Sequence, residues 1–108
     1  MTRVTFRLRE GKIAGFTLEG HSNYASSGHD IVCAALSSAA YLVINTITDA
    51  MNIPASASAE DGYITVAVEK GYEEQCRDIL KGFEIHINSL KKQYPKNIKV
   101  IYGGFKNA

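Results

Sequence analysis

An α+β domain, with two helices against a five-stranded, largely antiparallel sheet, is the fold class this 108-residue sequence predicts. Three observations carry that expectation. Residues 2–20 and 55–69 alternate apolar and polar positions around a central turn signal, so each reads as a hairpin. Each hairpin is followed by a segment with apolar residues at steps of three and four, the period of a helix. A last alternating run, Ile98, Val100 and Tyr102, closes the chain and gives the order ββαββαβ.

In the first hairpin, Val4, Phe6 and Leu8 alternate with Thr5, Arg7 and Arg9. Glu10-Gly11-Lys12 supplies a tight turn, and Ile13, Phe16 and Leu18 resume the extended run, with an irregularity expected near Gly15. Residues 22–29 have the small and polar composition of a loop. Asp30 is a good N-cap type ahead of an apolar helix from Ile31 to about Met51. That helix is apolar nearly all round. Its two readings are a central core helix and one whose surface also meets a second subunit. Asn52-Ile53-Pro54 ends it, because proline disfavours helical geometry in the residue before it. Asp61-Gly62 is the turn of the second hairpin. A second helix over roughly 72–94 carries one apolar stripe: Tyr72, Cys76, Ile79, Leu80, Phe83, Ile87, Leu90 and Tyr94. Glu73 and Glu74 in its first turn and Lys91 and Lys92 in its last suit the helix dipole, and Pro95 stops it.

The length suits one domain spanning 1–108 with one core. A net charge of +1 points to neither nucleic acid nor membrane. The N-terminus lacks the apolar core of a signal peptide. The longest apolar run, Tyr41–Ile47, is too short for a membrane span of roughly 20 residues. Two widely spaced cysteines make no disulfide framework, and the expected setting is the cytoplasm with reduced thiols. Lys91, Lys92, Lys96, Lys99 and Lys106 follow the last acidic residue, Glu84. They read as a solvated face and a dipole-favoured helix end, so direct RNA binding is not expected. Neither a Gly-rich phosphate loop nor a Cys-pair redox motif is present, and no cofactor is implied.

The chemistry concentrates between Gly20 and Ser37, GHSNYASSGHDIVCAALS. A cysteine in a helix is ordinarily a small buried hydrophobe, and Cys76, on the core stripe, is read as one. Cys33 differs by position. With Asp30 as N-cap it falls in the first turn, where unpaired backbone N–H groups and the positive dipole end favour a thiolate. The same N–H groups would hold a developing oxyanion. Ser37 lies one turn on, on the same face, either back-bonding within the helix or contacting substrate. Asp30 either caps the helix or orients an imidazole. His21, fixed at a strand end after Gly20, and His29 compete as the base, and spacing does not choose between them. A metal site on His21, His29 and Cys33 lacks a fourth ligand at sensible spacing. A non-catalytic binding module with a structural Cys33 is the alternative from another class.

Gly20-His21, the glycine-containing loop, Gly28-x-Asp30-Ile31-Val32-Cys33-Ala34-Ala35 and Ser37 together resemble the signature of the ribosomal-processing cysteine protease family, Prp. The resemblance implies an endopeptidase that removes a short N-terminal extension from a large-subunit ribosomal protein, the twenty-seventh of the L series. It implies cleavage after a Phe-Phe pair by a Cys–His dyad, and a homodimer. On this sequence Cys33 would be the nucleophile and His21 the base, with Asp30, Ser37, Gly20 and Gly28 at supporting positions. Residues 22–28 match a loop that must move to admit substrate. His29 inherits no role.

Overall fold

The computed structural model of the chain describes residues 1–20 and 31–105. Its elements follow the predicted order: β1 (Thr2–Arg9), β2 (Lys12–Glu19), α1 (Ile31–Asn45), a π-helical turn (Thr46–Ala50), β3 (Ala55–Glu60), β4 (Tyr63–Val68), α2 (Arg77–Gln93) and β5 (Ile98–Gly104). The strands form one sheet in the order β3-β4-β2-β1-β5. All neighbours are antiparallel except β1 and β5, which run parallel from Thr2 opposite Ile98 to Leu8 opposite Gly104.

The alternation read from the sequence becomes the two faces of this sheet. Val4, Phe6, Phe16, Leu18, Ile64, Val66 and Val68 are all buried, and register places them side by side on the face that carries the helices. The expected irregularity lies where Arg7 pairs with Gly15 but Leu8 pairs with Ile13, so Ala14 is the extra residue of a bulge. Gly15 is required there: a Cβ would stand 2.0 Å from the Val66 carbonyl oxygen. On the other face the Thr17 and Thr65 hydroxyls are 2.9 Å apart, which satisfies the buried Thr17.

The helix–sheet core is aromatic at its centre. Phe83 of α2 stacks on Phe16 at 4.2 Å and meets Phe6 edge-on at 5.9 Å, and Phe6 in turn stacks on Tyr102 of β5 at 5.4 Å. The Tyr102 hydroxyl donates to the Glu84 carboxylate, tying β5 to α2 from the outside.

One helix boundary differs from expectation, and the first helix, which ends where expected, closes in a wider turn. The segment 72–76 keeps the apolar period but folds as turns. Cys76 N donates to Glu73 O at 3.2 Å and Arg77 N to Glu74 O at 3.2 Å, three-residue steps that precede the α-helix. Met51 N reaches back five residues to Thr46 O, widening the last turn after α1. The Thr46 and Thr48 hydroxyls compete there, donating to the Leu42 and Ile44 carbonyls. Ile31–Ala50 as a whole has the length and composition of a membrane-crossing helix, longer than the run Tyr41–Ile47 predicts. Yet Val32, Leu36, Ala40, Val43, Ile44 and Ile47 are buried in the core. Its apolarity is also not all interior: Ile31, Tyr41 and Leu42 are 55%, 45% and 67% exposed.

At the end of the sheet where β1 finishes, Arg9 collects three neighbours. Its guanidinium donates to the Val68 carbonyl at 3.0 Å, pairs with Glu73 at 2.6 Å, and lies 4.7 Å over the Phe105 ring. The hydrogen bond from Arg9 lowers the Glu73 pKa, and Gly71 N adds a second donor to the same carboxylate at 3.0 Å.

Two outcomes follow. Phe83→Ala, by emptying the space between Phe6 and Phe16, is expected to cost about 3–5 kcal/mol in urea unfolding. Glu73 has a folded pKa below its unfolded value, so its contribution is complete above about pH 4.5 and is lost as pH falls through the lowered pKa. Wild-type melting temperature should therefore fall more steeply below that pH than that of Glu73→Gln. Parallel curves would show that the pair does not couple to folding.

Candidate active site

The strand order brings several backbone ends to the pole opposite Arg9. Gly20, just past β2, donates its N–H to Gly62 O at 2.9 Å, which locks the end of the first hairpin against the turn of the second. Gly20 has φ +90°, and a Cβ there would meet the Met1 carbonyl oxygen at 2.8 Å. Glycine is thus demanded twice, by backbone conformation and by space. Thr2 N donates to Asn97 O at 2.9 Å, bringing the end of α2 to the same pole. Thr2 Oγ1 is buried here without a hydrogen-bond partner among the described residues.

α1 begins at this pole. Its far end is fixed by Ile53 N donating to Ile47 O at 2.9 Å and Glu69 N donating to Pro54 O at 3.0 Å, beside the C-terminus of β4. The 20 residues from Ile31 to Ala50, at about 1.5 Å each, carry the helix back along the whole sheet. Cys33 therefore sits in the first described turn, above the Gly20–Gly62 junction end of the sheet. It is half-buried, between the buried Val32 and Leu36 stripe and the exposed top of the helix. Ser37, also half-buried, follows one turn later on the same flank.

Cys76 is the opposite case. It is fully buried beneath α2, where burial pushes its thiol pKa up, with the Glu73 charge adding to the effect. Both cysteines are thiols. The assignment of Cys76 to packing holds, so only Cys33 is presented to solvent at the pole.

Of the residues singled out from sequence, Gly20, Cys33 and Ser37 are brought to this end of the molecule. His21, Gly28, His29 and Asp30, with the loop between them, lie outside the described residues. Among the described residues no three of His, Cys, Asp and Glu cluster as metal ligands. The sequence reading passed over Ile31, which it counted with the buried circumference of α1. Its exposure two residues before the thiol makes it an apolar surface at the site. Tyr41, about two turns beyond Cys33, is also exposed on α1.

The two-layer α+β core thus holds the half-buried thiol of Cys33 in the first described turn of α1. The family model described as cysteine protease Prp matches residues 1–99, and the chain belongs to that family of cysteine proteases. The ribosomal processing cysteine protease Prp of Staphylococcus aureus is 24% identical over 95 residues, covering 86% of this chain and 90% of the relative. That of Bacillus subtilis is 24% identical over 107 residues, covering 93% and 96%. The crystal structure of the S. aureus protease with a covalently linked product peptide matches with a TM-score of 0.85 at 23% identity, over 94% of this chain and 99% of that one. The two-helix, five-stranded fold is thus shared along nearly the whole length.

Burial sets the relative reactivity of the two thiols. In the native protein, brief treatment with iodoacetamide should label Cys33 and leave Cys76 unmodified until denaturant is added, as read by peptide mass mapping. Equal labelling of both under native conditions would contradict the burial of Cys76.

Proposed function

We propose that this protein is the endopeptidase that trims the N-terminal extension of a bacterial large-subunit ribosomal protein, the twenty-seventh of the L series, after a Phe-Phe pair. The observation that carries this reading is the half-buried thiol of Cys33 at the start of α1 in a chain of the Prp family. The relatives' role in ribosomal processing supports the substrate class.

In this reading His21 accepts the Cys33 proton and the sulfur attacks the scissile carbonyl carbon. The carbonyl oxygen becomes an oxyanion, held by backbone N–H groups in the first turn of α1. As the tetrahedral intermediate collapses, the C–N bond breaks and the His21 imidazolium gives its proton to the leaving amine. Water, deprotonated by His21, then attacks the thioester and releases the carboxylate product and the thiol. Asp30 is the residue assigned to orient the imidazole in this reading. Gly20 and Gly28 are the supporting positions of this reading, and Ser37 contacts the bound chain. Ile31 offers apolar surface for the substrate's phenylalanines. The exposed top of α1, with Tyr41 and Leu42, supports a homodimer, and a catalytic thiol suits the reducing cytoplasm.

Cleavage of a Phe-Phe-containing extension peptide is the test. Wild type should cleave after the pair under reducing conditions near neutral pH. Cys33→Ala and His21→Ala should lose activity by at least about 10³-fold, while His29→Ala retains most of it. Absence of wild-type cleavage by a folded sample would refute the reading. An inactive His29→Ala beside an active His21→Ala would reassign the base.

A further inference from the structure

β3 is the outer strand of the sheet, and its outward side pairs with no strand among the described residues. Its six residues, ASASAE, pair with β4 without a bulge from Ala55–Val68 to Glu60–Tyr63. It carries no lysine, no internal proline and no break in register, and its one charge, Glu60, stands at the end beside the turn. The opposite edge, β5, carries Lys99 and is tied to α2 through Tyr102.

The ladder itself shows which backbone groups are available. Glu69 N donates to Pro54 O, so Pro54 and Glu69 form a hydrogen-bonded pair. Pairs alternate along an antiparallel ladder, so Ser56–Ala67, Ser58–Thr65 and Glu60–Tyr63 are bonded and the intervening pairs are not. The two-residue Asp61-Gly62 turn closing on Glu60–Tyr63 agrees with that phase. Ala55, Ala57 and Ala59 therefore direct their N–H and C=O groups away from β4, an outward row of donors and acceptors.

The side chains of those alanines share a face with Val68, Val66 and Ile64, the face that carries the helices, yet Ala57 and Ala59 are exposed. A shelf is thus left open between α1 and the edge. β4 runs parallel to β5, since both run parallel to β1, and α2 connects them. Such crossovers are right-handed in about 98% of cases. Seen from the helix side with β4 pointing up, β3 is then at the left, and α1 climbs on the left of α2. At about 100° per residue, Cys33 and Ser37 lie roughly 45° and 90° from the middle of the buried Val32, Leu36, Ala40, Val43, Ile44 and Ile47 face, on the side of α1 toward β3. Ala35 and Ala39 take the flank toward α2.

We propose that an extended segment of the protein substrate docks on β3 as a sixth strand, anchored on Ala55, Ala57 and Ala59, and rises from the shelf to present its scissile bond to Cys33. This rests on the protease reading above, and it names how that site holds its substrate. Main-chain hydrogen bonds supply the affinity, and alternate side chains of the bound segment enter the shelf beneath α1. An extended peptide is the occupant that fits, because the shelf is floored by methyl groups and edged by backbone polar groups rather than by charge.

The test measures binding of a labelled Phe-Phe-containing extension peptide to the Cys33→Ala protein, so that it does not depend on turnover. Replacing each peptide N–H in turn with N-methyl should weaken binding in a period of two along the docked segment. Ala57→Pro removes one outward N–H and no bond to β4, and should raise Kd about tenfold with the fold retained by circular dichroism. Ser58→Pro, which loses a ladder bond, should instead destabilise the protein. A flat or aperiodic N-methyl scan overturns the proposal, as does unchanged binding by folded Ala57→Pro. So does a wild-type dimer that Ala57→Pro converts to monomer, which would give the edge to a second copy. If Ala57→Pro does not fold, the N-methyl scan alone decides. Peptide that binds with the predicted period but is not cut by wild type would sink the protease reading and leave the docking edge standing.

Discussion

The stacking of Phe83 on Phe16, with Phe6 edge-on beside it, is the contact on which the rest of the molecule depends. These rings join α2 to the two central strands, β1 and β2, which hold the two halves of the sheet together. With α2 fixed, α1 has one place left on the helix face, over β4 and beside α2. The sequence has only two helices to cover five strands, so one face of the sheet is left largely to threonines, serines and charged residues. The aromatic centre, buried on all sides, makes two layers sufficient.

That packing decides where the chemistry can be. α1 must leave the Gly20–Gly62 pole and run the length of the sheet before β3 can begin beside Val68. Its first turn is therefore held at the pole while its last is consumed in the Thr46–Ala50 turn and the exit at Pro54. Gly20 is the one residue type that permits β2 to end against Met1 with φ +90°. The position of Cys33 thus follows from strand register and helix length, and its surroundings from the small residues next to it.

Much of this was legible in the sequence because it is local. Alternation in Val4-Phe6-Leu8 and Ile64-Val66-Val68, the Asp61-Gly62 turn and the Pro95 stop each act within a few residues, and each element formed where they point. The start of α2 was misread because Tyr72 and Cys76 keep a helical period. Gly71, at φ +102°, and the three-residue hydrogen bonds to Glu73 and Glu74 carbonyls hold that segment in turns instead. The parallel pairing of β5 with β1 joins residues nearly a hundred positions apart, and no local pattern encodes it. At the site, the end of β2 at Gly20 and the helix running on from Ile31 were readable from alternation and apolar period. The exposure of Ile31, Tyr41 and Leu42 was not, since an apolar residue carries no mark of which neighbours will cover it. Ala57 and Ala59 stand where alternation assigns core and are nevertheless exposed, because β3 is the sheet edge.

The two thiols show how strongly position governs chemistry on one scaffold. Cys76 is sealed under α2 beside a carboxylate, and both burial and charge hold it in the neutral form. Cys33, the proposed nucleophile, stands half-buried in the first described turn of α1, at the Gly20–Gly62 pole. Intact-mass spectrometry of wild-type protein treated with a peptidyl electrophile ending in Phe-Phe tests that assignment most directly. One adduct per chain, mapped to Cys33 and absent from Cys33→Ala, is the expected result. An adduct on Cys76, or none on a folded sample, would contradict it.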